Sequence, residues 1–174
     1  MPPEPPAEAE LRRQLAELHA DCYGWALACC GRDRAHAEDA LQRAYLRILE
    51  GRARFRGTSS FRTFVFGVIR MTAREERRGW LRLLPMATSP DSLADTAPLP
   101  DAAACAAERR TRLVKALAQL SARQRETLEL VFYHDMTIAE AAAVMDVRIG
   151  SARTHYERGK ARLRALLPEE FRNG

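Results

Sequence analysis

The chain has 174 residues, 47% of them hydrophobic, with 28 Lys and Arg against 23 Asp and Glu for a net charge of +5. That length suits one ordinary domain or two small ones, and no apolar run reaches the ~18 residues that would cross a membrane. Two basic blocks, residues 1–80 and 108–174, flank a slightly acidic connector in which Arg82 stands against Asp91, Asp95 and Asp101.

The start, Met1-Pro2-Pro3-Glu4-Pro5-Pro6, is acidic and proline-rich. It is unlike a secretory leader, so a cytoplasmic protein with a disordered tail over residues 1–7 is expected. Residues 8–30 place Leu11, Leu15, Leu18, Cys22, Trp25 and Cys29 at helical spacing, ended by Gly31. Cys22, Cys29, Cys30 and Cys105 show no C-x-x-C spacing, and Cys22 and Cys29 read as small core residues. A thiol sensor, or a metal site with His19, is the other reading.

A second helix is expected from about His36 to Glu50, with Leu41, Tyr45, Ile48 and Leu49 inward and Gly51 as its stop. An arginine-rich loop leads to Gly57, after which Thr58, Ser59 or Ser60 can cap a third helix reaching about Gly79. Phe61, Phe64, Val65, Val68 and Ile69 are its apolar positions. Residues 51–80 hold eight arginines against Glu75 and Glu76. Such a density attracts a polyanion, although a solvated helical face is the plainer explanation of a charge run. Arg70, Arg74, Arg77 and Arg78 recur at three- and four-residue steps and predict a basic ridge, ended by Trp80 as a core or stacking residue.

The segment Phe55-Arg56-Gly57-Thr58-Ser59-Ser60-Phe61-Arg62-Thr63-Phe64 mixes aromatics, hydroxyls and cations around a glycine. Unpaired bases are held by aromatic stacking and a cationic groove, and loop hydroxyls can satisfy an unstacked base. Phe61 and Phe64 as plain core residues is the competing reading.

From Leu81 the periodicity breaks among Pro85, Pro90, Pro98 and Pro100, which predicts a flexible linker over residues 81–107. It returns near Ala104 and runs through Leu113, Leu117 and Leu120. Ser121 can cap a helix holding Leu128, Val131 and Phe132, and Thr137 with Glu140 has capping-box spacing. That short helix ends near Met145-Asp146, and a last one runs from Ile149 to Leu167, stopped by Pro168 before a tail of residues 169–174. The fold class is therefore all-α: two small helical domains joined by a linker, with no strand pattern and no repeat.

Residues 137–163 have the lengths of a helix-turn-helix. Ile149, Ala152, Tyr156 and Leu163 share one face, and the opposite face presents Gly150, Ser151, Thr154, Glu157 and Arg158, with Arg153 beside it. Arg158 can fork onto guanine, Glu157 can accept from cytosine and Thr154 can touch either. Arg148, Ser151 and His155 suit phosphates near a helix N-terminus. A hairpin with a solvated face is the bland alternative.

These residues together resemble the bacterial RNA polymerase sigma factors of the extracytoplasmic-function (ECF) type, over about residues 15–80 and 108–167. The resemblance lies in Ala37–Arg47, Phe55–Phe64, Leu120–Glu126 and Gly150–Arg158, in that order. It implies a region 2 domain at residues 8–80, binding core polymerase and the −10 element, and a region 4 domain at 108–168, binding the −35 element. By that resemblance Glu38, Asp39, Leu41, Gln42, Tyr45 and Arg47 would meet the clamp of the large polymerase subunit. Phe55, Arg56, Thr58, Ser59, Ser60, Arg62, Phe64, Arg70, Arg74, Arg77 and Arg78 would serve −10 capture and melting. Arg148, Ser151, Arg153, Thr154, His155, Glu157 and Arg158 would serve −35 recognition. The acidic linker would thread toward the polymerase active site and RNA exit. Expected partners are core polymerase, including its flap, promoter DNA and an anti-sigma factor, with no cofactor, no metal, no catalysis and a monomer when free.

Departures from the family pattern fall at Ala40, Arg43, Phe64, Met71, His155 and Glu157. Three other functions compete. A conventional helix-turn-helix regulator would act without polymerase but would leave Phe55–Phe64 unexplained. An adaptor would bind polymerase without reading DNA. An enzyme has no support, because His19, His36, His134 and His155 are scattered and no phosphate loop or ligand spacing is present.

Overall fold

In a computed structural model of the protein, residues 6–83 and 101–167 are described, with side chains over 8–79 and 108–167. They fall into two units, and no strand occurs among the described residues. The first holds α1 (Pro6–Glu17), α2 (His19–Cys29), α3 (Arg34–Leu49) and α4 (Phe61–Leu83). The second holds α5 (Asp101–Ala118), α6 (Ala122–Leu128) with a π-helical turn at Glu129–Tyr133, α7 (Ile138–Met145) and α8 (Ile149–Leu166).

In the first unit, α2, α3 and α4 pack on one another and α1 leans on α3 and α2. The inner face of α3 is mostly alanine: Ala37, Ala40 and Ala44 are buried with Leu41 and Ile48. Small side chains let α3 sit close to its neighbours, and this is why Tyr45 and Leu49, expected inside, are only half-buried. Trp25 and Phe66 fill the centre with ring centroids 5.9 Å apart and planes 6° from parallel. The Trp25 Nε1–H also donates to the Phe66 carbonyl at 3.0 Å, so the buried indole keeps no unmet donor.

The stretch read as one helix over 8–30 is two helices, bent at Leu18, whose backbone flattens to φ −88° and ψ −1°. Leu15 of α1 is buried, while α2 also packs on α4 and buries Cys22, Trp25 and Ala26, and the bend serves both. Pro6 and Ala7, expected in the tail, open α1, because proline lacks only an N–H that a first turn leaves unbonded anyway. Helix α3 begins two residues earlier than expected, capped by the Asp33 carboxylate, which accepts from the His36 amide at 3.0 Å. Of the three candidate caps for α4, Ser60 takes the role, accepting from the Thr63 amide at 3.1 Å.

Gly79 does not end α4. A lone helical glycine costs only about 1 kcal/mol, and the helix continues through Leu83. Helix α5 starts at Asp101, so 101–107 are helical rather than linker, as five alanines in that segment favour. Residues 1–5, 84–100 and 168–174 lie outside the described residues, and with them most of the expected linker and both expected tail ends. The side chains of Trp80 and Cys105 also lie outside them.

In the second unit two capping boxes set the helix starts. The Gln124 amide donates to Ser121 Oγ, and the Ser121 amide donates to Gln124 Oε1 at 3.2 Å. The Thr137 amide donates to Glu140 Oε2 at 2.9 Å, and the Glu140 amide donates to Thr137 Oγ1 at 3.2 Å. Asp146 makes the turn between α7 and α8 in the left-handed region, φ 52° and ψ 54°. Helix α8 presses on α6 at Gly159, where a Cβ would stand 3.2 Å from Gln124 Cβ and from Leu128 Cδ1.

Three inward expectations in this unit fail. The π-helical turn shifts the phase after Leu128, so Leu130 is buried while Phe132 is exposed. Leu113 is exposed and Leu117 half-buried, the buried side of this segment being Ala116 and Leu120. Ile149 is 51% exposed, because it stands on the first turn of α8, ahead of the buried Ala152 and Gly159.

Trp25→Ala should lower the urea unfolding free energy by about 3–5 kcal/mol, and a loss under about 1 kcal/mol would contradict the central place given to this ring. Gly159→Leu should destabilise by about 1–3 kcal/mol through overpacking of α6 on α8, measured the same way.

Candidate nucleic-acid interface

The outer face of α3 carries Glu38, Asp39, Gln42, Arg43 and Leu46, all exposed. Leu41, expected among the contact residues, is 4% exposed and belongs to the core with Ala37, Ala44 and Ile48. Leu46 is 47% exposed and was not among the expected contacts. The signal for it was its phase, four residues on from Gln42 and eight from Glu38. Tyr45 turns half inward, its hydroxyl 3.4 Å from His19 Nδ1. Arg47 is bound across to α4, 2.5 Å from Glu75, with the Thr72 hydroxyl at 3.4 Å. Arg43 pairs with Glu76 at 3.1 Å. These cross-links frame a cleft of about 280 Å³ that His36 and Asp39 also line. Burial raises the Glu76 carboxyl above its usual range, against the opposing pull of Arg43.

The second feature lies at the start of α4. Phe55 sits edge-on to Phe61, with centroids 5.6 Å apart, and 5.5 Å from Phe64; Phe61 and Phe64 are 6.1 Å apart. Phe55 is exposed and the other two are half-buried, so the cluster is neither plain core nor free surface. Gly57, at φ +71°, turns the loop beside it, and Arg56, Thr58 and Ser60 are exposed with Ser59 half-buried. Arg62 faces inward: it pairs with Asp21 at 3.0 Å and lies 5.2 Å from the Phe66 ring centroid. That bond ties α4 to α2 beneath the loop.

The basic ridge is shorter than the spacing predicts. Arg70 is 5% exposed, because it shares the inner face of α4 with Phe66 and Ala73. Arg74 is half-buried, and Arg77 and Arg78 are exposed.

In the second unit, Arg148, Gly150, Ser151, Arg153, Thr154, Glu157 and Arg158 are all exposed along the first three turns of α8. The Thr154 hydroxyl donates to the Gly150 carbonyl at 2.9 Å, and Glu157 lies 3.9 Å from Lys160. His155 is half-buried, and that burial, with Arg123 and Arg158 nearby, lowers its pKa below 6.5. On another side of α8, Tyr156 stacks on Phe132 with centroids 5.8 Å apart, and Lys160 Nζ lies 4.8 Å from the Tyr156 ring centroid.

Cys22 is buried next to Tyr45, and burial pushes the Cys22 and Cys30 thiols up to about 11. Thiols held protonated are poor nucleophiles and poor metal ligands, which favours the packing role. No group of three His, Cys, Asp or Glu able to hold a metal occurs among the described residues.

Two family models match the chain in order: sigma-70 region 2 over residues 15–80 and sigma-70 region 4 over residues 110–163. The chain is 28% identical over 155 residues to the RNA polymerase sigma factor CarQ of Myxococcus xanthus, covering 89% of this chain and 88% of that one. It is 29% identical over 165 residues to the ECF RNA polymerase sigma factor SigL of Mycobacterium tuberculosis, covering 94% and 92%. The fold is similar to that of the sigma factor RpoE crystallised with the anti-sigma factor NepR from Bartonella quintana, with a TM-score of 0.69 at 20% identity over 90% of this chain and 96% of that one. It is also similar to CnrH in complex with the cytosolic domain of CnrY, with a TM-score of 0.61 at 20% identity over 90% and 86%. A helix-turn-helix regulator would account for the second match alone. With both regions matched in order over well more than half of its length, the chain belongs to the sigma-70 family, as a sigma factor of the extracytoplasmic-function type.

Proposed function

We propose that the three surfaces divide promoter recognition between them. The outer face of α3, with Glu38, Asp39, Gln42, Leu46 and the inter-helix pairs of Arg43 and Arg47, is the seat for core polymerase. Leu46 supplies an apolar anchor within a polar rim, the arrangement that concentrates binding energy at an interface. The aromatic cluster and the loop Arg56–Ser60 take the unpaired strand of the −10 element. Phe55 and Phe64 offer faces to bases, and Thr58, Ser59 and Ser60 offer hydroxyls to a base turned out of the stack. Arg62 positions this loop from below through Asp21. Arg77 and Arg78 neutralise phosphates.

The first turns of α8 enter the major groove at the −35 element. Arg153 and Arg158 contact guanine or phosphate, Thr154 and Glu157 face base edges, and Arg148 and Ser151 hold the backbone. His155 is half-buried on the same helix, its pKa lowered by that burial and by Arg123 and Arg158. The observation that carries the proposal is the pairing of a half-exposed aromatic loop on one unit with an arginine-bearing recognition helix on the other. Two weak contacts become one strong one when polymerase holds both units, since the second then binds at high effective concentration. The work is binding and unstacking rather than catalysis. No described helix is long and apolar enough to cross a membrane, and work on a promoter belongs in the cytoplasm. An anti-sigma partner is proposed from RpoE, which was crystallised with one.

In vitro transcription with purified core polymerase and a library of promoter fragments tests this reading: start sites that appear only with the protein support it, and none would overturn it. Arg153→Ala and Arg158→Ala should each weaken −35 discrimination by about 1–3 kcal/mol at constant salt. Leu46→Asp should reduce affinity for core polymerase at least about tenfold while leaving the urea midpoint unchanged, and an unchanged affinity would remove Leu46 from the interface. The His155 ring should titrate below pH 6.5 by NMR. Its folded pKa is below the unfolded one, so the unfolded state takes up the proton first and stability falls as the pH drops below 6.5. A midpoint above 6.5 would contradict the burial assigned to it.

A further inference from the structure

Glu75 and Glu76 are neighbours on α4 and both reach across to arginines of α3, but they are placed differently. The Glu75 side chain stands well out in solvent, whereas that of Glu76 is 14% exposed within the cleft between the two helices. Its partner, Arg43, is 62% exposed. A pair between two free surface side chains is worth little, because both must be immobilised. In this pair the carboxylate is already fixed by packing, and a buried carboxylate draws a cation because alone it would stand uncompensated. Burial is the largest influence on the Glu76 carboxyl, and Arg43 is the largest of those that oppose it.

The place of Arg43 on α3 gives this pair a consequence. Glu38, Asp39, Gln42 and Leu46 are exposed on the outer face, and Arg43 stands among them. Arg34, the other exposed cation of α3, lies on its first turn, about 18 Å of helix from Leu46. Asp39 and Arg43 are four residues apart, the spacing at which opposite charges meet on a helix surface. Arg43 binds Glu76 instead, and no ion pair holds Asp39 among the described residues. With Arg43 drawn aside, the middle of the face presents the carboxylates of Glu38 and Asp39 beside the apolar Leu46. A surface complementary to it carries cations around an apolar contact.

We infer that Glu76 is a positioning residue for the polymerase seat: it withdraws Arg43 from Asp39 and so leaves the Asp39 carboxylate free for a cationic side chain of core polymerase. Glu76 acts from within the cleft and makes no contact with polymerase itself. Without its charge, Arg43 turns to Asp39 and satisfies inside the chain the group that the partner requires. The inference rests on the proposed seat for polymerase on α3.

The test measures the affinity of the full chain for core polymerase at low and at high salt. Glu76→Gln keeps the shape of the side chain and should weaken binding about fivefold at low salt. The deficit should shrink below about twofold at high salt, where exposed charges are screened. Adding Arg43→Gln to Glu76→Gln should return the affinity to within about twofold of wild type, because no cation is left to occupy Asp39. An unchanged affinity for Glu76→Gln, a deficit that persists at high salt, or a double variant as weak as the single one would overturn the positioning role. The salt comparison still decides if Glu76→Gln lowers the urea midpoint, since a packing defect is not screened. Asp39→Asn separates the two levels. It should itself weaken binding, and in its background Glu76→Gln should cost less than about twofold more. If Asp39→Asn and Leu46→Asp both leave the affinity unchanged, the seat on α3 fails, whatever Glu76 does.

Discussion

The contact between Trp25 and Phe66 holds the first unit in working order. It ties α2 to the middle of α4 by stacked rings and by an indole hydrogen bond to the backbone. Helix α4 carries the aromatic loop at its start and arginines toward its end, so its rotation about its axis decides which of these side chains the proposed DNA face presents. The Arg62 pair with Asp21 fixes the same helix again one turn earlier. Across the other side, Arg43 with Glu76 and Arg47 with Glu75 bind α4 to α3. One packed core therefore sets two surfaces at once, the α3 face proposed for polymerase and the α4 face proposed for DNA.

The second unit solves a smaller problem with different means. Its helix starts are specified by two capping boxes and its turn by a left-handed Asp146. Gly159 lets α8 lie directly against α6, and Ala152 packs beneath the first turn, while Arg148, Ser151, Arg153, Thr154, Glu157 and Arg158 stay exposed on the outer face. The helix proposed for recognition must be rigidly seated yet keep side chains free, and the division of α8 into a packed face (Ala152, Gly159) and an exposed one meets both demands.

Much of this was legible in the residues. The all-α class and the helix-turn-helix followed from periodicity, and the Thr137 and Ser121 caps followed from local chemistry that does not depend on distant partners. What failed depended on tertiary contacts. The bend at Leu18 has no glycine or proline to mark it and arises because α1 and α2 lean on different neighbours. Arg70 fell in a regular arginine series, but spacing alone does not say which side of α4 meets Trp25. Leu41 was placed inward by its helical spacing and outward by the family resemblance, and the packing upholds the spacing, as it does the outward phase that Leu46 shares with Glu38 and Gln42. The phase shift at Glu129–Tyr133 is likewise invisible to a period of 3.6.

The most direct test of the central claim is the affinity of the protein for a promoter fragment carrying both elements, measured at one salt concentration with and without core polymerase. The account predicts weak, nearly sequence-independent binding by the free protein and tight binding in the presence of core that is lost when either element is scrambled. Tight, sequence-specific binding by the free protein would contradict it.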